Sequence, residues 1–90
     1  MPSVRARPTP NPNSLKFEVR NGALMAGGLE AFRSAKEAEG HPLGRALFAL
    51  DGVADVLLLP AFATVTKRPD ASWDRLQPAV ERVLRAHLNG

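Results

Sequence analysis

Cysteine is absent from this 90-residue chain, which excludes disulfides, thiolate nucleophiles and thiolate metal ligands together. Without crosslinks the fold depends on packing, and a chain this short buries only about 60% of the surface its unfolded form exposes. Histidine is scarce as well. The two present, His41 in a Gly-His-Pro junction and His87 near the C-terminal end, cannot supply the four nitrogen or sulfur ligands of a structural zinc site. Neither sits in a motif that pairs a base with a nucleophile, so both read as helix-end or surface residues and the chain reads as no enzyme. Glu37 and Glu39 lie two apart on an expected helix and face different ways, which makes a solvated polar face rather than a metal site. No cofactor is expected. Gly27-Gly28 has no Gly-Lys-Ser after it and no buried strand before it, so it is a bend and not a phosphate loop. Long hydrophobic runs are missing too: stretches such as Val56 to Leu59 cannot span a bilayer, and the opening Met-Pro-Ser-Val-Arg-Ala-Arg-Pro contains no signal-peptide core. These absences together predict a soluble, cytoplasmic protein without a membrane role.

Net charge, by contrast, is concentrated. Of the formal +3, the first twenty residues hold Arg5, Arg7, Lys16 and Arg20 against Glu18, whereas the other seventy hold eight bases and eight acids. A basic end of this kind attracts acidic partners, nucleic acid or an anionic surface. Apart from Phe17, no aromatic is interleaved with these bases to stack nucleobases, so a small basic nucleic-acid-binding protein is the second reading and not the first.

Periodicity predicts an α+β chain forming one domain over residues 1–90. Val4 and Ala6 alternate with polar neighbours up to Pro8, and Leu15, Phe17 and Val19 alternate with Lys16, Glu18 and Arg20, which gives two strands. Asn21-Gly22 marks a turn, and residues 28–32 form a weaker third strand. Ser34 and Glu37 have capping-box spacing, predicting a short helix over Ala35 to Glu39. Pro42 opens a second helix with Leu43, Ala46, Leu47 and Leu50 on one face, stopped by Asp51-Gly52. Val53 to Leu59 is almost continuously apolar, as in a strand buried on both faces, and Phe62 to Lys67 alternates as the next strand. Ser72 caps a last helix whose stripe runs Trp73, Leu76, Val80, Val83, Leu84 and His87 or Leu88, with Pro78 as a kink or as the true start. The expected result is a small, mostly antiparallel sheet packed against two or three helices as a two-layer sandwich, with Phe17, Phe32, Phe48, Phe62 and Trp73 sharing one core.

The remaining segment is Thr9-Pro10-Asn11-Pro12-Asn13-Ser14-Leu15-Lys16-Phe17. Prolines at alternate positions fix φ and remove donors, so residues 9–13 must form a stiff loop. One reading is a rigid connection in which Asn11, Asn13 and Ser14 bond backbone groups. The other is a recognition loop: a pre-stiffened backbone loses little entropy on binding, and Arg5, Arg7 and Lys16 beside it can pair with a partner's acidic groups. On that reading Thr9, Asn11, Asn13, Ser14 and Lys16 form the partner-binding loop, and Arg5 and Arg7 the basic patch.

This nine-residue segment resembles the signature near the start of the Nfu-type N-terminal domain. Ser34, Glu37 and Ala38, Pro42-Leu43 with Leu47-Phe48, Gly52-Val53, Thr64-Val65-Thr66-Lys67 and Trp73 follow in that domain's order and approximate spacing, so the resemblance covers nearly the whole chain. It implies a place in iron-sulfur cluster biogenesis, where complete Nfu-type proteins act as scaffolds or carriers. Their clusters are borne by a separate Cys-x-x-Cys domain that these residues lack, so the resemblance implies an accessory module that contacts iron-sulfur assembly proteins or recipient apoproteins. The family's association with iron binding finds no independent support in these residues. Local departures, Ala61-Phe62-Ala63 and Glu18-Val19-Arg20, fall where relatives carry other side chains and affect surface more than fold.

Overall fold

A computed structural model describes residues 1–89. Its elements are β1 (Ser3–Pro8), β2 (Ser14–Arg20), β3 (Glu30–Phe32), α1 (Pro42–Phe48), β4 (Val53–Leu58), β5 (Phe62–Lys67) and α2 (Trp73–Asn89). The strands make one five-stranded sheet in the order β1-β2-β5-β4-β3, and every neighbouring pair is antiparallel. Strand β5 thus closes the sheet, taking β2 on one side and β4 on the other.

Alternation places Val4 and Ala6 of β1, Leu15, Phe17 and Val19 of β2, and Ala63 and Val65 of β5 on one face, where both helices cover them. Phe17, Ala63 and Val65 are fully buried there, with Leu47 of α1 and Val80 and Leu84 of α2 above them. Strand β4 departs from the expectation of burial on both faces. Its register slips between Val53 and Asp55, where two β4 residues span one step of β5. That bulge turns Val53, Val56 and Leu58 all toward the helices, leaving Asp55 exposed and Leu57 half-buried on the other face. The apolar run is therefore a one-sided strand with an irregular step, not a doubly covered one.

Two further expectations are corrected, and one open alternative is decided. Residues 35–39 make no α-helix but successive turns, with Ala38 N–H donating to the Ala35 carbonyl and His41 N–H to that of Ala38. The capping pair does form, Ser34 Oγ accepting from Glu37 N–H and Glu37 Oε1 from Arg33 N–H, yet five residues cannot offset the cost of helix nucleation. Helix α2 starts at Trp73 and runs through Pro78, so the proline does not mark its start. Ser72 caps it, its carbonyl accepting from Leu76 N–H and its hydroxyl from Asp74 N–H. Finally, Phe62 is not in the shared core: it pairs with Glu18 on the face away from the helices, beneath the Lys16 ammonium.

Helix α1 begins without a Ser, Thr or Asp cap. His41 takes that role: its Nδ1 accepts from Gly44 N–H at 3.1 Å, while its ring lies 5.3 Å from that of Phe32. Gly44 is what lets Phe32 of the edge strand approach this helix, since a Cβ there would stand 2.7 Å from Phe32 Cε2 and 3.2 Å from the Ala38 Cβ. Helix propensity alone favours alanine over glycine by roughly 1 kcal/mol, but overpacking a core contact costs about 1–3 kcal/mol. Gly44→Ala is accordingly expected to lower stability in urea denaturation, and Phe32→Leu in the same chain to recover part of the loss. A stabilised single variant would show that the ring yields and that the contact does not constrain the glycine.

Candidate docking surface

Residues 9–13 are the loop of the β1–β2 hairpin, whose register runs from Ser3 opposite Arg20 to Pro8 opposite Leu15. Its prolines supply no backbone donors, so side chains organise the turn. Thr9 Oγ1 accepts from Asn11 N–H at 3.2 Å and lies 2.9 and 3.0 Å from the Asn11 and Ser14 carbonyls, which share its single proton. Asn11 Oδ1 accepts from Asn13 N–H at 2.9 Å, an Asx turn, and the Asn11 carbonyl accepts from Ser14 N–H.

The same loop is tied to the far end of the chain. Lys67 donates twice to Asn13, from its backbone N–H to the carbonyl at 2.7 Å and from Nζ to Oδ1 at 3.0 Å. Buried Ser14 meets Thr66 hydroxyl to hydroxyl at 2.6 Å. Trp73 Nε1 donates to the Pro12 carbonyl at 3.1 Å, with its ring 6.2 Å from that of Phe17. Three residues that sequence reasoning had not assigned to the loop, Thr66, Lys67 and Trp73, therefore hold it. Local sequence carries no signal for them, because their partners are 52 to 61 positions away.

The structure separates the candidate residues into two groups. Thr9, Asn11, Asn13 and Ser14 use side-chain oxygens within this network. Arg5, Arg7 and Lys16 instead project from the sheet face opposite the helices, on adjacent strands, Arg5 across from Glu18 and Arg7 across from Lys16. Arg7 Nε donates to Glu18 Oε1 at 2.8 Å, and Lys16 Nζ lies 3.9 Å from Glu18 Oε2. That Arg7 hydrogen bond, with the charges of Arg7, Lys16 and Arg20, holds the Glu18 carboxyl below its usual range against a weaker opposing effect of desolvation. A lowered carboxyl contributes its stability above the unfolded-state pKa and loses it as pH falls through the folded value, so the pairing persists at neutral pH and dissolves only in acid.

Elsewhere, His87 Nε2–H donates to the Leu24 carbonyl at 2.8 Å, pinning α2 to the loop after β2. Among the described residues no group of three or more His, Asp or Glu is placed to hold a metal ion, and no helix is long and apolar enough to cross a membrane. The loop network yields a direct test. Trp73→Phe retains ring packing on Phe17 but removes the donor to Pro12, and is expected to destabilise the chain by about 1 kcal/mol while accelerating amide exchange at Asn13 and Ser14. Unaltered exchange there would show that the indole does not restrain the loop.

The scaffold protein Nfu/NifU N-terminal family model matches residues 4–90. Curated relatives include NifU-like protein 5, mitochondrial, of Arabidopsis thaliana, 37% identical over 81 residues that make up 90% of this chain and 29% of the relative. The NFU1 iron-sulfur cluster scaffold homolog, mitochondrial, of Drosophila ananassae is 36% identical over 90% of this chain and 28% of the relative. The chain thus spans less than a third of these relatives' length. Among solved structures, a NifU-like protein from Saccharomyces cerevisiae shares the fold with a TM-score of 0.80 at 21% identity, over 92% of this chain and 75% of that one. Protein SAV1430 from Staphylococcus aureus does so at 0.71 and 21% identity, over 90% and 96%. A family model over nearly the whole chain, together with relatives at 36 and 37% identity, shows that this chain belongs to the Nfu/NifU scaffold N-terminal family.

Proposed function

We propose that this chain is a non-catalytic, protein-binding accessory module of iron-sulfur cluster assembly, carrying no cluster ligands of its own. Family membership supports the pathway. The donor set supports the accessory role: the sequence has no cysteine, and iron-sulfur clusters are held chiefly by thiolates. The cluster is on this reading the cargo of other proteins in the pathway. Residues 1–90 act as one domain, at work in an aqueous compartment; the cytoplasm is our assignment, although the relatives are mitochondrial by name.

Docking falls to the β1–β2 hairpin. Its loop is stiffened by alternate prolines and by the bonds of Thr9, Asn11, Asn13 and Ser14, so little conformational entropy remains to be lost on association. Arg5, Arg7 and Lys16 stand beside it as groups for acidic side chains of an assembly protein or a recipient apoprotein. The single observation that carries this assignment is the loop's attachment to Lys67 and Trp73, which presents the hairpin end as a rigid surface.

Affinity capture with the tagged chain tests it. The wild type is expected to enrich iron-sulfur assembly proteins or cluster-containing enzymes. The Asn11→Ala, Asn13→Ala, Lys16→Ala variant, verified as folded by circular dichroism, is expected to lose most of that enrichment. Equal capture by both forms would remove the loop from the mechanism, and capture of no such protein by the wild type would overturn the assignment to the pathway.

A further inference from the structure

The helices cover one face of the sheet and leave the other open. Its outward side chains can be read from the register: Ser3, Arg5 and Arg7 on β1, Lys16, Glu18 and Arg20 on β2, Phe62, Thr64 and Thr66 on β5, Asp55 and Leu57 on β4, and Ala31 on β3. The charge asymmetry of the sequence thereby becomes a spatial one. All four bases of the first twenty residues share this face, with Glu18 as their one acid, whereas the rest of the chain is balanced. Arg7 and Lys16 are engaged by Glu18, but among the described residues Arg5 and Arg20 enter no ion pair. Toward the opposite edge the face becomes a shallow depression bordered by Ala31, Arg33, Asp55, Leu57, Thr64 and Thr66. Half-buried Leu57 and Thr64 lie across from one another on its floor.

We infer that this open face docks an acidic amphipathic segment of a partner protein, carboxylates lying over Arg5, Arg20 and Lys16 and an apolar side chain resting on Leu57 and Thr64. Charge complementarity selects this occupant. A basic half beside an apolar and hydroxyl-lined half matches a segment that has both acidic and apolar groups. Nucleic acid fits less well. The one aromatic on the face, Phe62, lies under the Lys16 ammonium at 4.4 Å and is closed to base stacking, and Glu18 and Asp55 would meet phosphates with like charge. The inference rests on the reading of the chain as a protein-binding module, but not on the pathway assigned to it.

The test is a nitrogen-15 amide titration of the full chain with a short peptide alternating glutamate and leucine. Three comparisons accompany it: the lysine–leucine and glutamate–serine peptides of the same length, and a single-stranded oligonucleotide. The glutamate–leucine peptide is expected to shift amides along β1, β2, β5 and β4, to bind at least several-fold tighter than the glutamate–serine peptide, and to weaken with added salt. Arg5→Glu with Arg20→Glu should raise its Kd by roughly tenfold or more, and the milder Arg5→Ala, Arg20→Ala pair should raise it less. The inference is overturned if the shifts map to the helical side, if both variants bind as the wild type does, or if the lysine–leucine peptide or the oligonucleotide binds this face as tightly. Capture of assembly proteins by the folded charge-reversed variant at wild-type level would remove the face and leave the pathway standing. Peptide binding here without any such capture by the wild type would do the reverse.

Discussion

Insertion of β5 between β2 and β4 is the constraint on which the rest depends. It joins residues 14–18 to residues 62–66, so the hairpin, formed by local contacts, acquires a sheet only after a long loop has been closed at an entropic cost. Burial offsets that cost: Ala63 and Val65 are fully buried, as is Phe17 opposite Ala63. The small Ala63 leaves room for the Phe17 ring beneath the helices, and Phe17 in turn supports Trp73 at the start of α2. The strand that closes the sheet also ends at Lys67, which fixes the hairpin loop. Closure of the sheet and rigidity of the loop are thus consequences of one event.

The sequence showed clearly those features that a few neighbouring residues decide. Leu15, Phe17 and Val19 declared a strand by alternation, and Pro42 and Ser72 declared two helix starts; the helix opened by Pro42 ends at Phe48, before the expected stop at Asp51-Gly52, so Leu50 falls outside it and Gly52, at φ 103, belongs to the turn into β4. Long-range constraints were hidden. The bulge at the start of β4 breaks alternation, so a one-sided strand looked doubly buried. Phe62 was assigned to the core by its hydrophobicity, yet its parity on β5 places it with Thr64 and Thr66 on the open side. The Ser34–Glu37 pair was read correctly as a chemical interaction and wrongly as a helix, because capping bonds form in a turn as readily as at a helix start.

The candidate site was half legible for the same reason. That the proline-rich segment is stiff follows from residue type alone. That Asn11, Asn13 and Ser14 bond backbone groups was one reading of it, and Asn11 does so toward Asn13 N–H; that Ser14 and Asn13 meet the side chains of Thr66 and Lys67 was hidden, since those residues reach the loop only through the sheet. The basic residues were visible as a count and became a surface once β1 and β2 were paired, when Arg5 and Arg7 met Glu18 and Lys16 across the ladder.

That pairing also shows how the fold tolerates its charge. Like charges on neighbouring strands destabilise a ladder, and Arg7 faces Lys16 directly. Glu18 relieves the conflict from the next position, bound by Arg7 and approached by Lys16. A single carboxylate paired with two of the four bases limits repulsion within the folded chain but does not neutralise it. A second acid at Ser3, opposite Arg20, would pair with that base and lower the positive surplus without removing it. The chain instead keeps a surplus on the one face that no helix covers, where an acidic partner can supply the missing countercharge.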